Sequence, residues 1–162
     1  MNGGVNMTDM FTDFNAQYPD IDIFIKSASS QADLSSQEAD ISLQLTNSPP
    51  ENLVGKKIGR LPINIYGSSD YFERLNKMEL SELKWIVWVD ESNVIDMESF
   101  IRTNISDPKI VMRTNVYSEV YDFMSAGLGV SLISSFGLPS IHNLKRFMPE
   151  KYIFEQDLWL LY

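Results

Sequence analysis

The stretch Val120-Tyr-Asp-Phe-Met-Ser-Ala-Gly-Leu-Gly-Val-Ser-Leu-Ile-Ser134 decides the fold class. Val116, Val120, Phe123 and Met124 recur at helical spacing, which predicts one apolar stripe facing a sheet. Gly127 and Gly129 supply the backbone freedom that ends such a helix tightly. Val130 to Ile133 then form a short, continuously apolar run, the pattern of a strand covered on both faces. A helix returning into such a strand implies a parallel α/β sheet. Those sheets place ligands at the carboxyl ends of their strands, where Ser134 and Ser135 are expected.

Upstream, Lys109 to Arg113 reads as a strand, and Met97, Phe100, Ile101 and Ile105 mark an amphipathic helix. Trp85 to Val89 is a further strand. Ser68 or Ser69 is placed to cap a helix whose first turn holds Asp70. Near the amino terminus, Met10, Phe11, Phe14 and Tyr18 suit a helix that Pro19 stops. Ile21, Ile23 and Ile25 alternate with Asp22 and Phe24 as a strand does. Ser27 to Ser30 form a polar turn, and Ser30-Gln-Ala-Asp33 matches a capping box that opens a short helix. Asp40-Ile-Ser-Leu-Gln-Leu45 is the next strand, which completes a βαβ unit. Thr46 to Gly55 is a loop, and Pro62-Ile-Asn-Ile-Tyr66 is an extended segment leaving this first unit. Pro139 to Met148 reads as a last short helix, and Leu158 to Tyr162 as a strand returning to the first unit.

Composition narrows the function. The 162 residues carry 13 basic and 22 acidic side chains, a formal charge of −9, and no cysteine. Binding to nucleic acid depends on basic groups that displace counterions, so this chain is a poor candidate to touch DNA itself. Absence of cysteine excludes disulfides, thiolate catalysis and thiolate-bound zinc, and it fits the cytoplasm. No run approaches the ~20 apolar residues that span a bilayer, and Met1 to Met7 lacks the pattern of a secretory signal.

The segment Ala126-Gly-Leu-Gly-Val-Ser-Leu-Ile133, with the upstream strand Lys109-Ile-Val-Met-Arg-Thr-Asn115, resembles the second half of the effector-binding domain of LysR-type transcriptional regulators. The first half is similar too, through Phe14-Asn-Ala-Gln-Tyr-Pro-Asp-Ile-Asp-Ile-Phe-Ile25, Ala39-Asp-Ile-Ser-Leu-Gln-Leu45 and Pro49-Pro-Glu-Asn-Leu-Val-Gly55. Tyr66-Gly-Ser-Ser-Asp-Tyr-Phe72 and Leu158-Trp-Leu-Leu-Tyr162 follow in the family's order. The resemblance implies an α/β, two-lobed, type 2 periplasmic-binding-protein-like fold, each lobe a small sheet with flanking helices. The first lobe is expected at residues 1–66 with the returning strand 158–162, and the second at 67–157. Against the family's pattern, a strand before the first helix and a helix after the last strand are missing, so the first lobe is expected to be incomplete. We therefore expect a truncated, partial or trimmed chain. The family's winged helix-turn-helix has no counterpart in it. Ile23, Ile25, Ile41, Leu43, Val87, Ile110, Met112, Val130 and Leu132 are expected to be buried in two separate, parallel-rich sheets.

The effector is expected between the lobes, at strand ends and helix amino termini, which favour carboxylates and phosphates. By resemblance the turn carrying Ser27, Ser29 and Ser30 contributes hydroxyls, although Ser30 also reads as a plain helix cap. Gln44 ends the following strand. The second lobe offers Thr114, Asn115, Tyr117, Ser134 and Phe136, with Ser68 at the hinge. Thr114 and Asn115 equally suit capping of the helix that follows them.

Other features read as structural. His142 is the only histidine and sits in a surface-like segment, so neither a metal site nor a catalytic triad is expected. Asp20/Asp22 and Asp90/Glu91 are expected to be solvated, and Trp85, Trp88 and Trp159 to be core or hinge packing. Gly127-Leu-Gly129 follows a helix, whereas a dinucleotide fingerprint sits between a strand and a helix. The expected function is an effector-sensing regulatory domain, homodimeric in the intact protein, without cofactor or catalysis, reaching DNA only through another domain. The alternative is a solute-binding protein of a transport system.

Overall fold

The structure is a computed structural model that describes residues 7–26, 39–49, 51, 54–89, 97–134, 143–148 and 153–162. Its organising element is β2 (Gly55–Ser68), 14 residues long. The first part of β2 pairs antiparallel with β7 (Phe154–Leu161), from Gly55 opposite Leu161 to Ile63 opposite Phe154. Beyond β7 lies β1 (Ser42–Leu45), also antiparallel. The second part of β2 pairs with β5 (Val130–Ser134), from Ile63 opposite Ser134 to Gly67 opposite Val130, and with the short β6 (Leu144–Arg146). The partner changes at Ile63, four residues before Gly67.

The two lobes therefore share one strand. The full order is β1-β7-β2-β5-β3-β4, with β3 (Lys84–Trp88) and β4 (Lys109–Thr114) completing it. The expectation of two separate sheets gives way to one hydrogen-bonded path. Its physical reason is that 62–66 keeps a ladder partner throughout, where a bare linker was expected. Parallel pairing is confined to β3, which has β4 on one side and β5 on the other.

Two helices cover this parallel part. α3 (Met97–Asn104) links β3 to β4, and α4 (Tyr117–Ser125) links β4 to β5. They lie on opposite faces, as the two apolar cores demonstrate. Met97, Ile101 and Ile105 pack with Trp85, Val87, Val130 and Leu132. Val120, Tyr121 and Met124 pack with Ile86, Ile133 and Tyr66. Strand alternation divides the set: Trp85 and Val87 face one helix, and Ile86 faces the other. Each such burial contributes ~1.5–3 kcal/mol of gross apolar stabilisation. The expected burial of Val87, Val130 and Leu132 is met, and Ile110 and Met112 are partly buried against the cores.

The end of α4 is as its glycines predict. Gly127 has φ +75°, a left-handed conformation that suits glycine. Its N–H donates to the Met124 carbonyl (2.9 Å) and the Leu128 N–H donates to the Phe123 carbonyl (3.0 Å). These are the paired bonds of a Schellman stop. Val116 sits outside the stripe, 45% exposed at the amino cap of α4.

The first lobe departs from expectation. α1 (Met7–Gln17) forms as predicted, but residues 21–26 join no ladder. Ile23 is 41% exposed, Ile25 61%, Ile41 61% and Leu43 40%, so the buried first-lobe core expected of them is not found. Alternation gave these residues one apolar face, yet β1 has β7 as its only strand partner among the described residues. The capping box of Ser30 lies outside the described residues. The predicted helix over 139–148 is replaced, in its described part, by β6, because pairing with Tyr66, Gly67 and Ser68 holds 144–146 extended. The final strand begins at Phe154, four residues earlier than predicted.

An ion-pair cluster ties α3 to β4. The Arg113 guanidinium donates to both oxygens of Glu98 at 2.8 Å, and Arg102 reaches the same carboxylate at 2.7 Å, one turn along α3. Hydrogen bonds from Arg113 and then Arg102 lower the Glu98 pKa from 4.5 to about 2. A depressed carboxylate pKa contributes stability that is present above the unfolded value and is lost as pH falls. Thermal melts should therefore show a falling midpoint from about pH 4.5 towards pH 2, and Glu98→Gln should flatten that acid limb. Equal acid slopes in both proteins would contradict this.

Candidate functional site

In open α/β sheets a crevice opens where neighbouring parallel strands send their connections to opposite faces. Here the strand order β4-β3-β5 reverses between β3 and β5, so the crevice opens at the carboxyl end of β3, with the end of β4 and the start of α4 beside it. β3 and β4 stay paired to their tips, with Trp88 opposite Thr114, and the Val89 N–H donates to the Thr114 carbonyl at 2.8 Å. The Trp88 indole N–H reaches the Asn115 carbonyl at 3.3 Å. Trp88 also meets Tyr117 edge to face (5.0 Å between ring centroids), and Tyr117 meets Tyr121 in the same way (5.3 Å). Burial raises the pKa of both phenols, so both stay protonated at neutral pH.

Thr114 is committed locally. Its hydroxyl donates to Glu119 Oε2 (2.5 Å) and accepts from the Val116 N–H (3.0 Å). Its one donor is thus used, and a carboxylate already occupies the position an anion would take. Asn115 is exposed, and its side chain makes no hydrogen bond to another described residue. No side chain caps α4: Val116 holds the cap position. The first N–H groups of that helix therefore open towards the crevice, beside Asn115 and Tyr117.

Ser134 ends β5 at the same edge of the sheet, buried and opposite Ile63, two strand spacings or roughly 10 Å from Thr114. Ser68 is at the other edge. It pairs with Leu144 next to the Gly67–Val130 pair, at the amino-terminal ends of β3 and β5, roughly 15 Å or more from Asn115. There its hydroxyl accepts from the Tyr71 N–H at 3.2 Å and caps α2 (Ser69–Glu73). Gln44 lies on β1 in the other lobe, opposite Trp159, and donates to the Ser42 hydroxyl at 3.2 Å. Ser27, Ser29, Ser30 and Phe136 lie outside the described residues. The structure thus brings together Thr114, Asn115, Tyr117 and Ser134, and adds Trp88. Trp88 packs against both apolar cores, as its reading as core packing expected, and its indole N–H edge borders the site as well. Among the described residues no group of His, Asp and Glu could hold a metal ion, and no helix is long and apolar enough to cross a membrane.

Comparison with known proteins gives the family and the fold. The family described as LysR substrate binding domain matches residues 4–162. This chain is a member of that family. An HTH-type transcriptional regulator of Xanthomonas campestris pv. campestris (strain 8004) is 37% identical over 62 residues, 38% of this chain and 18% of that protein. The regulatory domain of CcmR from Synechocystis PCC6803, solved in complex with 2-PG, superposes with a TM-score of 0.73 at 15% identity, covering 96% of this chain and 80% of that one. Full-length AphB, the virulence activator of Vibrio cholerae and a member of the LTTR family, gives 0.66 at 20% identity, covering 96% of this chain and 56% of that one. The LysR domain thus spans little more than half of a full-length regulator of known structure. Its fold is the two-lobed, periplasmic-binding-protein-like one that the sequence resemblance implied, and membership favours regulation over the solute-transport alternative.

Proposed function

We propose that this LysR domain is the sensing part of a cytoplasmic transcriptional regulator, binding a small metabolite between its lobes and passing the change to a DNA-binding domain elsewhere in the protein. The supporting observation is what stands beside the switch point: an uncapped helix start, the free Asn115 amide and the Tyr117 phenol meet at the carboxyl ends of β3 and β4. An effector acts only by binding one arrangement better than the other. The first-lobe contribution is assigned to the turn with Ser27, Ser29 and Ser30, and Ser134 is assigned to the rim. The CcmR domain, solved with 2-PG, supports a small anionic effector. Glu119 engages the Thr114 hydroxyl and stands in the first turn of α4, so recognition of the anionic group falls to the Asn115 amide more than to Thr114 or the helix terminus.

The intact regulator is proposed to be a homodimer. Met10, Phe14 and Tyr18 stand exposed along one side of α1, and β4 is an edge strand with Val111 outward. A single-chain mass in sedimentation of the full-length protein would sink this part.

Effectors found by thermal-shift screening test the site. Asn115→Ala should weaken binding by about tenfold, the loss of one hydrogen bond to a charged group, with the melting midpoint unchanged. Thr114→Ala should do the reverse and lose ~1 kcal/mol of stability, because its hydroxyl satisfies Val116 and Glu119. Unaltered affinity in Asn115→Ala would move the site elsewhere.

A further inference from the structure

At the opposite end of the same strands lies a second cavity, about 430 Å3, lined by Tyr71, Arg74, Leu75, Glu82, Lys84 and the Gly127–Leu128 turn. Its size falls within the range of small-molecule sites. It is separated from the switch point by the length of β3, roughly 13 Å. The local charge is unusual for a chain of formal charge −9. Arg74 and Lys84 both face the cavity, and the one lining carboxylate, Glu82, has Lys109 as a loose partner at 3.9 Å. The Lys84 ammonium has no ion-pair partner among the described residues.

Arg74 and Tyr71 each have one tie to the surrounding backbone. One Arg74 Nη donates to the Gly127 carbonyl at 3.2 Å, which fixes the guanidinium across the turn and leaves its remaining N–H groups without an acceptor among the described residues. A side chain at Gly127 would put a Cβ 2.6 Å from that nitrogen and displace the guanidinium, while the positive φ is what calls for glycine here. Tyr71 is 6% exposed and its oxygen accepts from the Lys84 N–H at 2.7 Å. Its own O–H finds no acceptor among the described residues. Leu75 and Leu128 supply an apolar wall. Two cations against one carboxylate that Lys109 loosely pairs, with a buried hydroxyl donor and an apolar wall, leave a net positive lining that matches an organic anion.

We propose that this cavity is a second ligand site, taking a small organic molecule whose carboxylate or phosphate sits among Arg74, Lys84 and Tyr71 while its apolar part lies against Leu75 and Leu128. The site is independent of the inter-lobe crevice and of any effector bound there.

Phenylacetate and phenyl phosphate, titrated at constant ionic strength against a chloride control, separate the two anion chemistries. Saturable amide shifts in heteronuclear NMR are expected at Lys84, Gly127 and Leu128 for at least one probe. Lys84→Ala, at an exposed position, should weaken that binding by about tenfold. Arg74→Lys should weaken it too, since it keeps the charge and loses the planar fork. Linear, non-saturating shifts, or equal affinity in wild type and Lys84→Ala, would overturn the proposal. Saturable shifts confined to Asn115 and Tyr117 would also overturn it, while leaving the inter-lobe reading intact.

Discussion

Trp85→Ala is expected to cost ~3–5 kcal/mol, a large part of the ~5–15 kcal/mol that holds a domain folded. Trp85 is fully buried, and lies in the core that α3 closes with Met97 and Ile101. Deleting the indole removes its transfer energy and leaves a cavity between a helix and a sheet that cannot collapse onto each other. The melting midpoint should drop by roughly 10 °C or more. Trp85→Phe gives a sharper test. The indole N–H has no hydrogen-bond partner among the described residues, so its removal recovers ~1–3 kcal/mol of desolvation cost against the packing lost. Phenylalanine should therefore cost only ~1 kcal/mol. Urea unfolding of both variants checks this; equal losses would mean that the indole nitrogen is satisfied in solution.

The second lobe was legible because each element carries its own local signal. The stop of α4 rests on Gly127, the two-faced burial of β5 on the run Val130 to Ile133, and α3 on Met97, Phe100, Ile101 and Ile105. None of these needs a distant partner to be recognised. The first lobe was less legible for the same reason. Alternation at Ile21, Ile23 and Ile25 fixes which side chains share a face, but a strand also requires a neighbour to complete its hydrogen bonds, and residues 21–26 have no ladder. Leu144 to Arg146 failed in the opposite sense: pairing with the end of β2 overrode a local pattern that suited a helix.

The site divides along similar lines. Thr114, Asn115, Tyr117 and Ser134 were identifiable as strand ends and helix starts, which local sequence marks well. Their roles required register. Ser68 reads as a hinge residue from its place between lobes, yet antiparallel pairing of β2 with β5 turns it towards the amino-terminal ends of the parallel strands. Thr114 reads equally as an effector ligand or as a local hydrogen-bonding residue, and the choice is made only when the first turn of α4 brings Glu119, five residues on, beside it. The basic cavity leaves no mark in the sequence because Arg74, Lys84 and Gly127 are too far apart to form a motif.

Gly129→Ala is expected to destabilise the domain by ~3 kcal/mol, at the upper end of what overpacking costs. A Cβ there would fall inside contact distance of the Lys84 carbonyl oxygen and 3.0 Å from its carbon. Both atoms are backbone, so no rotamer change can relieve the clash. The strands would have to part where Trp85 meets Val130, the pair that joins β5 to β3. That separation would also shift the far ends of the strands, so effector affinity at the switch point should fall together with stability. Gly59→Ala is the control: its Cβ would meet nothing within 4 Å. It should be neutral or stabilise by ~0.4–1 kcal/mol through the unfolded chain. Thermal melts of the two variants, with effector titrations where folding permits, distinguish close backbone approach from a general intolerance of glycine replacement. If Gly129→Ala melts with the wild type, β3 and β5 can separate without cost, and the rigid strand frame assumed for the site does not hold.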